Sequence, residues 1–528
     1  MSAEDNSKII LQNRVLVDVA LEPMSRKIYL EFEPPSLTNN QADLDRVMDE
    51  LHKEFGHVAL PLKIMNSISD TLRRAGWRVT FTLALFEEQW RVIDVEPGNQ
   101  TMSQYGLAVD IGTTTVVGYL VDLTSGAVLA TAADYNGQIR FGADILSRIQ
   151  AAAEPTHRQG LQDAVVETLN SIINRLAEQR SIESRRISAI TVAANTTMVH
   201  LLLGLDPARI CMAPYIPVIN RPGYIKASEI GLSINPEAPL YCLPGLGSYV
   251  GGDVIGGVLA SGMHQKSEVA LFVDIGTNGE MVLGSKDWLT ACAGAAGPAL
   301  EGGVARHGMR AEPGAIYRVR IAGESGRVEY ATVGAQKPVG ICGSGLIDCL
   351  AELLLAGIIN RAGKFKDGRS EFVLAPAAES SSGVAITFTQ TDIDNLMRTK
   401  GAVNAALEHL LESVGCAMTD IEAFYAAGAF GQYLDLESAV TIGLYPDLPR
   451  EKMIRLGNSA GEGARLALIS NRCRWEAEAL LRTITYFELN ASETFMNRFV
   501  GSKFLPHTNL DYYPTVKAKL LSLGLAVE

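Results

Sequence analysis

The 528-residue sequence lacks several features that would fix its class at once. No apolar run approaches 18 residues and no signal-peptide pattern opens the chain, so we predict neither a membrane span nor export, and expect a cytoplasmic protein. Basic residues are not in excess. The formal net charge is −13, which disfavours nucleic acid and anionic membranes as principal partners. Low-complexity tracts are also missing, so the chain is expected to fold throughout most of its length.

Cysteine is scarce and dispersed. The seven cysteines include no CxxC pair, and no four of them are grouped as an iron–sulfur cluster or a zinc site requires. Buried, reduced thiols are therefore expected. The eight histidines show no ligand spacing either. His200 lies in an apolar stretch, where a packed histidine is expected rather than a metal ligand.

Two common nucleotide-binding signatures are missing as well. The sequence has no G-x-x-x-x-G-K-[ST] loop, since Ala362–Phe365 fails at the hydroxyl position. It has no convincing G-x-G-x-x-G fingerprint. Any phosphate-binding site must therefore be built from other loops.

Glycine, in contrast, is abundant at 49 residues, and two glycine turns repeat one pattern. The apolar strand Leu107–Asp110 runs into Gly112–Thr115 and a returning strand. About 160 residues later, Ala270–Asp274 runs into Gly276–Gly279 and another returning strand. At this length at least two lobes are expected, and the repeated strand–Asp-Ile-Gly-Thr–strand unit indicates a duplicated α/β architecture with mixed sheets.

The chemistry of these turns favours phosphate. Glycine lets the backbone approach a ligand, and the exposed amides and hydroxyls can donate to phosphate oxygens. An aspartate at the strand end can hold a hydrated Mg²⁺, which prefers one or two carboxylates together with phosphate oxygens. The alternative is two structural β-hairpins that each carry an aspartate at the sheet edge.

In order along the chain, these segments resemble the acetate kinase, sugar kinase, Hsp70 and actin (ASKHA) superfamily. The resemblance implies a duplicated, two-lobed actin/Hsp70-like ATPase fold, preceded here by a small α/β module. The family pattern is a first phosphate loop, a first connecting helix, a second phosphate loop, an adenosine loop and a second connecting helix. The corresponding segments here are Leu107–Val117, Thr191–Met198, Phe272–Met281, Phe424–Gly431 with its companion Leu456–Ala460, and Gly340–Leu346. The last of these departs from the pattern, because it lies between the second phosphate loop and the adenosine loop.

The predicted domain order follows from this resemblance. We expect a disordered start (1–11), a small α/β module (12–95), a linker (96–105) and an ASKHA ATPase domain (106–528). Within that domain, lobe I covers about 106–265 and lobe II about 268–470, and helices follow over about 471–528.

A narrower resemblance is carried by three further segments. Arg140–Arg148 (RFGADILSR), Gly251–Val254 (GGDV) and Gln390–Ala402 (QTDIDNLMRTKGA) are similar to segments of the ATP-dependent reductive activators of corrinoid proteins. Members of that family use ATP to drive the reduction of cob(II)alamin to cob(I)alamin on a partner protein. The implied partner is a corrinoid protein of an O-demethylase or other methyltransferase system. The sequence has no Asp-x-His-x-x-Gly cobalamin motif, so the corrinoid is expected on that partner.

One departure concerns electron transfer. The family carries an iron–sulfur domain, yet no cysteine precedes Cys211 and none follows Cys473. We therefore expect no iron–sulfur cluster in this chain: either that domain is missing here or the electron donor is a separate protein. ATP-driven work on the partner is unaffected by this departure.

The resemblance also implies roles for individual residues. Asp110 and Asp274 would hold Mg²⁺ through water from opposite lobes. Asp253, Asn195 and Asp274 form the catalytic set, with Asp253 orienting the attacking water; its alternative role is the N-cap of a helix over Val254–Ser261. The nucleotide, ATP or ADP, would contact Gly112, Thr113, Thr114, Thr115, Gly276, Thr277, Asn278, Gly343, Ser344, Lys400, Gly428, Ala429, Gly431 and Asn458.

Some alternatives stay open at this level. Arg140 and Arg148 could face the partner, or be solvated or salt-bridged. The whole chain could be a small-molecule kinase of the same superfamily, with Asp253 activating a substrate hydroxyl, or a nucleotide-gated scaffold. A homodimer is also open.

Overall fold

The computed structural model describes residues 16–276, 279–294, 303–322, 326–428, 434–489 and 495–525. These residues cluster into two compact units. The amino-terminal unit comprises Val15–Ala260 together with Ala460–Arg482, and the carboxy-terminal unit comprises Ser261–Ser459 together with Thr483–Glu528. The disordered start expected at 1–11 lies outside the described residues. No helix in the described ranges combines the length and the apolar character that a membrane span needs.

A small α/β module opens the amino-terminal unit. Its sheet has the order β1-β3-β4-β2 in the described part of the chain, and helices α1 and α2 bury one apolar stripe each against it. Val47 and Leu51 of α1 are fully buried, as the helical spacing of the sequence predicts. The element bounds are β1 Ser25–Glu31, α1 Asp43–Phe55, β2 Val58–Ala59, α2 Leu62–Arg74, β3 Arg78–Phe86 and β4 Gln89–Pro97.

The second sheet of the amino-terminal unit has the described order β7-β6-β5-β8-β10-β9. Strands β5, β6 and β7 form an antiparallel meander, whereas β8 runs parallel to β5. The elements are β5 Tyr105–Ile111, β6 Thr115–Asp122, β7 Val128–Tyr135, α3 Ile145–Ala151, α4 Pro155–Arg180, β8 Ile187–Ala194, α5 Thr196–Leu202, β9 Tyr224–Lys226, β10 Pro239–Cys242 and α6 Gly252–Ser261, joined later by α10 Ser459–Ile469 and α11 Asn471–Thr483.

Helices cover this sheet through close contacts. Helix α4 buries Leu161, Val165, Leu169, Ile172 and Leu176, the stripe expected from the sequence. Helices α6 and α10 approach so closely that a Cβ on Gly463 would lie 2.2 Å from the Cα of Gly256. Glycine is therefore required where these two backbones meet.

The carboxy-terminal unit contains a sheet of order β20-β19-β11-β12-β13-β21, again counting described strands only. Smaller sheets β15-β14-β16 and β17-β18 accompany it. The elements are β11 Ala270–Ile275, β12 Gly279–Ser285, β13 Trp288–Gly294, β14 Ala315–Ile321, β15 Val328–Thr332, β16 Gly340–Ile341, α7 Gly343–Leu355, β17 Glu371–Ala375, β18 Ile386–Thr389, α8 Gln390–Ser413, β19 Ala423–Ala427, α9 Leu436–Thr441, β20 Met453–Gly457, β21 Ile484–Phe487, α12 Phe495–Gly501 and α13 Pro514–Ser522.

The two six-stranded sheets share one strand order over five strands, β7-β6-β5-β8-β10 and β13-β12-β11-β19-β20, and the sixth strand lies at opposite edges. In each, a three-strand meander begins at an aspartate-bearing strand, β5 or β11, and a later strand, β8 or β19, pairs parallel with that strand. Asp110 pairs with Val117 on one side and Ala193 on the other. Asp274 pairs with Glu280 and Ala427. The duplicated α/β fold with mixed sheets, predicted from the repeated turn, is confirmed.

Candidate nucleotide site

The first candidate phosphate loop joins β5 to β6. Asp110 is half-buried near the end of the fully buried run Leu107–Val109. The amide of Gly112 donates to the carbonyl of Thr115 over 2.8 Å and closes the turn. A Cβ on Gly112 would lie 2.8 Å from that same carbonyl oxygen, so a side chain would force the turn open. Thr113 is buried, while Thr114 and Thr115 are half-buried.

Asn136, which the sequence did not point to, holds this loop from behind. Its amide donates to the carbonyl of Thr114 over 2.9 Å, and its side-chain Nδ2 donates to the carbonyl of Gly112 over 3.0 Å. The residue is fully buried. Two of the loop carbonyls are thereby satisfied from outside the turn. The available signal was the Asn136-Gly137 dipeptide at the end of β7, a common turn sequence that gives no distance to Gly112.

Asn195 contacts the same loop from the start of α5. Its Oδ1 accepts from the amide of Met198 over 2.9 Å and caps the helix. Its Nδ2 donates to the Thr113 hydroxyl over 3.3 Å. The structure thus brings together two residues that the sequence placed in the site 82 positions apart.

Asp253 belongs to the same group of residues. A Cβ on Gly251 would lie 2.6 Å from the Cα of Asn195, so the Gly251-Gly252 backbone abuts the start of α5. Helix α6 begins at Gly252, which places Asp253 in its first turn rather than at the N-cap position considered above. Burial raises the pKa of the Asp253 carboxyl to about 6, against the opposing effect of the Val254 amide that donates to it.

A pKa near neutrality is what a general base requires. Such a carboxylate can accept a proton from water at physiological pH more readily than an ordinary aspartate can. Because desolvation is the principal cause, the shift depends on the enclosed setting of Asp253. The amino-terminal unit therefore holds a phosphate-type loop that an amide donor contacts, and a base candidate two residues along the chain from Gly251, whose backbone abuts that donor.

The second candidate phosphate loop joins β11 to β12 in the carboxy-terminal unit. Asp274 is half-buried at its start, as is Gly276. Gly428 follows β19 at a φ of +91°. A Cβ there would lie 2.5 Å from Oδ1 of Asp274 and 2.6 Å from the carbonyl of Ile275. Gly428, which the sequence resemblance placed in an adenosine loop, therefore lies directly against Asp274 and Ile275, and only glycine fits.

Three further residues that are predicted to contact nucleotide lie within the described part of the fold. Gly343 and Ser344 open helix α7 and are buried, with the Ser344 hydroxyl 3.3 Å from the sulfur of Cys342. Asn458 follows the last residue of β20 and is half-buried. The predicted contacts Thr277, Asn278, Ala429 and Gly431 lie outside the described residues.

Lys400 requires a correction. Its side chain is fully buried in α8, and its ammonium donates to the carbonyls of Ser502 (2.6 Å), Phe504 (2.7 Å) and Pro506. An ammonium has three donors, so none is left for a ribose or base in this geometry. Lys400 therefore ties α8 to the segment after α12, and we withdraw it from the nucleotide-contacting set.

A hydrated Mg²⁺ fits the residues that remain. Magnesium needs hard oxygen donors, often only one or two carboxylates besides phosphate and water. In the amino-terminal unit Asp110 offers a half-buried carboxylate at a strand end, and in the carboxy-terminal unit Asp274 does the same. Within the described ranges, no group of three or more His, Cys, Asp or Glu residues is arranged to hold a metal by itself.

The other sequence expectations concern packing. The seven cysteines are free thiols, five of them buried. His200 is fully buried, its Nδ1 lies 2.7 Å from the carbonyl of Thr196, and burial lowers its pKa. The expectation of a packed histidine is confirmed.

Comparison with known proteins identifies the family. Three family models match consecutive parts of the chain: the RACo linker region over residues 16–102, the RACo middle region over 105–266, and the C-terminal ASKHA domain of RACo over 268–517. The chain belongs to the RACo family of reductive activators of corrinoid proteins. Both resemblances drawn from the sequence, to the ASKHA superfamily and to this family, are confirmed.

Individual relatives agree with the family models. The chain is 35% identical to the corrinoid activation enzyme RamQ of Eubacterium limosum over 78% of this chain and 72% of that protein. It is 26% identical to a Methanosarcina barkeri reductase of a methylated amine-specific corrinoid protein over 75% and 76% of the two chains. A solved reductive activator for a corrinoid, iron-sulfur protein superposes with a TM-score of 0.87 at 40% identity, covering 98% of this chain and 84% of that one.

Proposed function

We propose that this RACo-family chain hydrolyses ATP to drive the reduction of cob(II)alamin to cob(I)alamin on a partner corrinoid protein. The observation that carries the proposal is the match to a solved reductive activator at 40% identity over 98% of the chain. The duplicated aspartate-bearing loops support it, because each places a carboxylate, the kind of oxygen donor that Mg²⁺ prefers, at a strand end. The corrinoid is a substrate carried by the partner.

The first loop would bind and orient phosphate. The Gly112 turn is closed by Thr115 and supported by Asn136, and the Thr113 hydroxyl accepts from Nδ2 of Asn195. That hydroxyl keeps its own proton, which it would donate to a phosphate oxygen. Asp110 and Asp274 would each offer a carboxylate to hydrated Mg²⁺, which neutralises phosphate charge when bound. Gly276 and Gly428 would leave room at the second loop.

Asp253 would act as the base that orients and deprotonates the attacking water. Its raised pKa, about 6, leaves it ionised at neutral pH yet basic enough to accept a proton. Nδ2 of Asn195 lies 3.3 Å from the Thr113 hydroxyl, and Asn195 also abuts the Gly251 backbone. Asn195 would therefore connect the chain segment that carries Asp253 to the phosphate loop.

The electron is proposed to come from a centre outside the 528 residues of this sequence. The seven cysteines are dispersed along the sequence and include no CxxC pair, and all seven are free thiols. We therefore propose that the electron comes from an iron–sulfur centre outside these 528 residues, on a missing domain or a separate protein, with this chain performing the ATP-dependent step in the cytoplasm. The methyltransferase system of the partner, for instance an O-demethylase, belongs to the same proposal, and a homodimer remains open.

The test compares acceptors of the ATP reaction. Purified chain with Mg²⁺ and ATP is assayed for phosphate release alone, with a cob(II)alamin-loaded corrinoid protein, and with a panel of sugars and other alcohols. The proposal predicts hydrolysis that the corrinoid protein stimulates and that alcohols do not. Phosphorylation of an alcohol, with no response to the corrinoid protein, would instead establish a small-molecule kinase.

A further inference from the structure

Arg148 lies at an unexpected place. It belongs to the Arg140–Arg148 segment, where Arg140 and Leu146 are exposed, the latter by 64%. The Arg148 side chain, in contrast, is fully buried in α3. It faces neither solvent nor a partner surface, so the open alternatives for this residue are both wrong.

The guanidinium is only partly satisfied. Its Nε donates to the carbonyl of Gly142 over 2.9 Å, and its Nη1 lies 3.3 Å from Oε1 of Gln138 and 3.4 Å from Sδ of Met198. Nη2 is buried and has no acceptor among the described residues. Burial lowers the pKa of Arg148 to about 10, only partly offset by the charge of Asp144, so the group stays cationic at neutral pH.

The acceptors of Arg148 also belong to the support of the first phosphate loop. Nδ2 of Asn136 lies 3.4 Å from the same Gln138 oxygen and 3.6 Å from the same Met198 sulfur. That Nδ2 also donates to the Gly112 carbonyl, and the Met198 amide donates to Asn195. Arg148 is thus one side chain removed from both residues that hold the loop.

A buried cation without a carboxylate partner is unfavourable for folding alone. Moving an ion out of water carries a large free-energy cost unless a counter-charge compensates it. Arg148 forms no ion pair within 4 Å among the described residues, whereas Arg465, also buried, pairs with Glu462 at 2.6 Å. Besides the charge of Asp144, which is not in ion-pair contact with Arg148, a phosphate bound at the Gly112 loop would be an anion that Arg148 can compensate. A buried charge acts there over a longer range than it would in water, because the local dielectric is low.

We propose that Arg148, which contacts Gln138 and Met198 in the support of the first phosphate loop, supplies the positive charge that favours an anionic nucleotide there. The inference rests on the proposed function, since it requires that the loop bind nucleotide. The inference gives the buried residue of the Arg140–Arg148 segment a role that the exposed residues of the segment do not share.

The experiment separates charge from shape. Arg148→Lys keeps the charge, whereas Arg148→Met and Arg148→Gln remove it at similar length, and all three lose the fork to Gly142 and Gln138. Arg140→Met removes an exposed charge from the same segment and serves as the control. Affinity for a non-hydrolysable ATP analogue with Mg²⁺ is measured by calorimetry, and the melting temperature of each variant is measured alongside.

We expect the wild type, Arg140→Met and Arg148→Lys to bind within about threefold of one another. We expect Arg148→Met and Arg148→Gln to bind about tenfold more weakly, which corresponds to about 1.4 kcal/mol. Equal affinity in Lys, Met and Gln variants, whether high or low, would overturn the inference, because the charge would then have no role. If Arg148→Met does not fold, the Gln variant decides. Failure of the wild type to bind nucleotide would instead contradict the proposed function.

Discussion

The two aspartate-bearing loops share a strand order but differ in what supports them. The first is held by side-chain amides: Asn136 donates to the Gly112 carbonyl and Asn195 to the Thr113 hydroxyl. At the second loop, Gly428 packs directly against Asp274. A Cβ added to Gly428 would lie only 2.5 Å from Oδ1 of Asp274, so this contact requires glycine. Duplicated backbone topology therefore does not duplicate the surrounding contacts, and the two loops should respond to different substitutions.

The largest expected effect lies beside the first loop. Asp253→Asn keeps the size of the side chain but removes the base, and we expect ATP hydrolysis to fall by about 10³-fold, in the range typical of a lost general base. In the wild type, activity should decline as the pH falls through about 6, where Asp253 becomes protonated. Phosphate release measured between pH 5 and 8 tests both statements.

The stability of the fold should depend on pH in the opposite direction to activity. The folded-state pKa of Asp253 is raised above the ordinary 3.8, so its contribution to stability is fully present below that value and is lost as the pH rises through about 6. At pH 8 the ionised, desolvated carboxylate therefore disfavours the fold, and Asp253→Asn should melt at a higher temperature than the wild type. Near pH 3 the difference should vanish. A variant with full activity and unchanged melting would remove Asp253 from the account.

The next effect belongs to the second loop. Gly428→Ala places a Cβ against Asp274 and demands a φ of +91° that alanine disfavours. We expect Asp274 to shift by about 1 Å and hydrolysis to fall by about 100-fold, as a misplaced catalytic group does. Phosphate release at saturating Mg²⁺ measures it.

Gly368→Ala is the matched control, because Gly368 has a φ of +75° with nothing within 4 Å of the added Cβ. That variant should lose about 1 kcal/mol of stability and no activity. If both variants keep full activity, the contact between Gly428 and Asp274 does not matter to the reaction.

Much of this arrangement could be expected from the sequence, and the reasons for the remainder are physical. The two strand–Asp-Ile-Gly-Thr–strand turns are local, so hydrophobic alternation and glycine placement predicted their hairpins and the duplicated fold. Asn136 escaped notice because its contact with Gly112 spans 24 positions and depends on how β7 ends. Lys400 was misassigned because a sequence does not show which face of α8 meets the segment after α12, where its three carbonyl acceptors lie.

A smaller effect should separate the two roles of Asn195. Asn195→Asp keeps the oxygen that caps α5 but loses the Nδ2 donor to Thr113, whereas Asn195→Ala loses both. The lost donor should lower ATP turnover by roughly fivefold to tenfold in both variants, since a typical net hydrogen bond contributes about 1 kcal/mol. Only the alanine variant should also lose about 1 kcal/mol of stability from the missing cap.

Turnover and urea unfolding, measured on both variants, would distinguish these roles. Full turnover in Asn195→Asp would show that the contact with Thr113 is not used, and would leave the first loop supported by Asn136 alone. The comparison between the two loops would then lose one of its two side-chain supports.

The smallest effect on activity is expected at Lys400. Lys400→Met leaves three buried carbonyls without their donor and should destabilise the carboxy-terminal unit by about 3 kcal/mol or more. Nucleotide affinity below the melting transition should be unchanged, because no donor of Lys400 is free for the ligand. Calorimetric titration with an ATP analogue measures it, and a large loss of affinity in a folded variant would return Lys400 to the nucleotide site.

The central claim is that ATP hydrolysis by this chain drives cobalt reduction on a partner. The most direct measurement follows the absorbance of a cob(II)alamin-loaded corrinoid protein mixed with this chain, Mg²⁺ and a low-potential reductant under anaerobic conditions. We predict that the cob(I)alamin spectrum appears with ATP, and neither with a non-hydrolysable analogue nor with Asp253→Asn. Appearance of cob(I)alamin at the same rate without ATP would contradict the account.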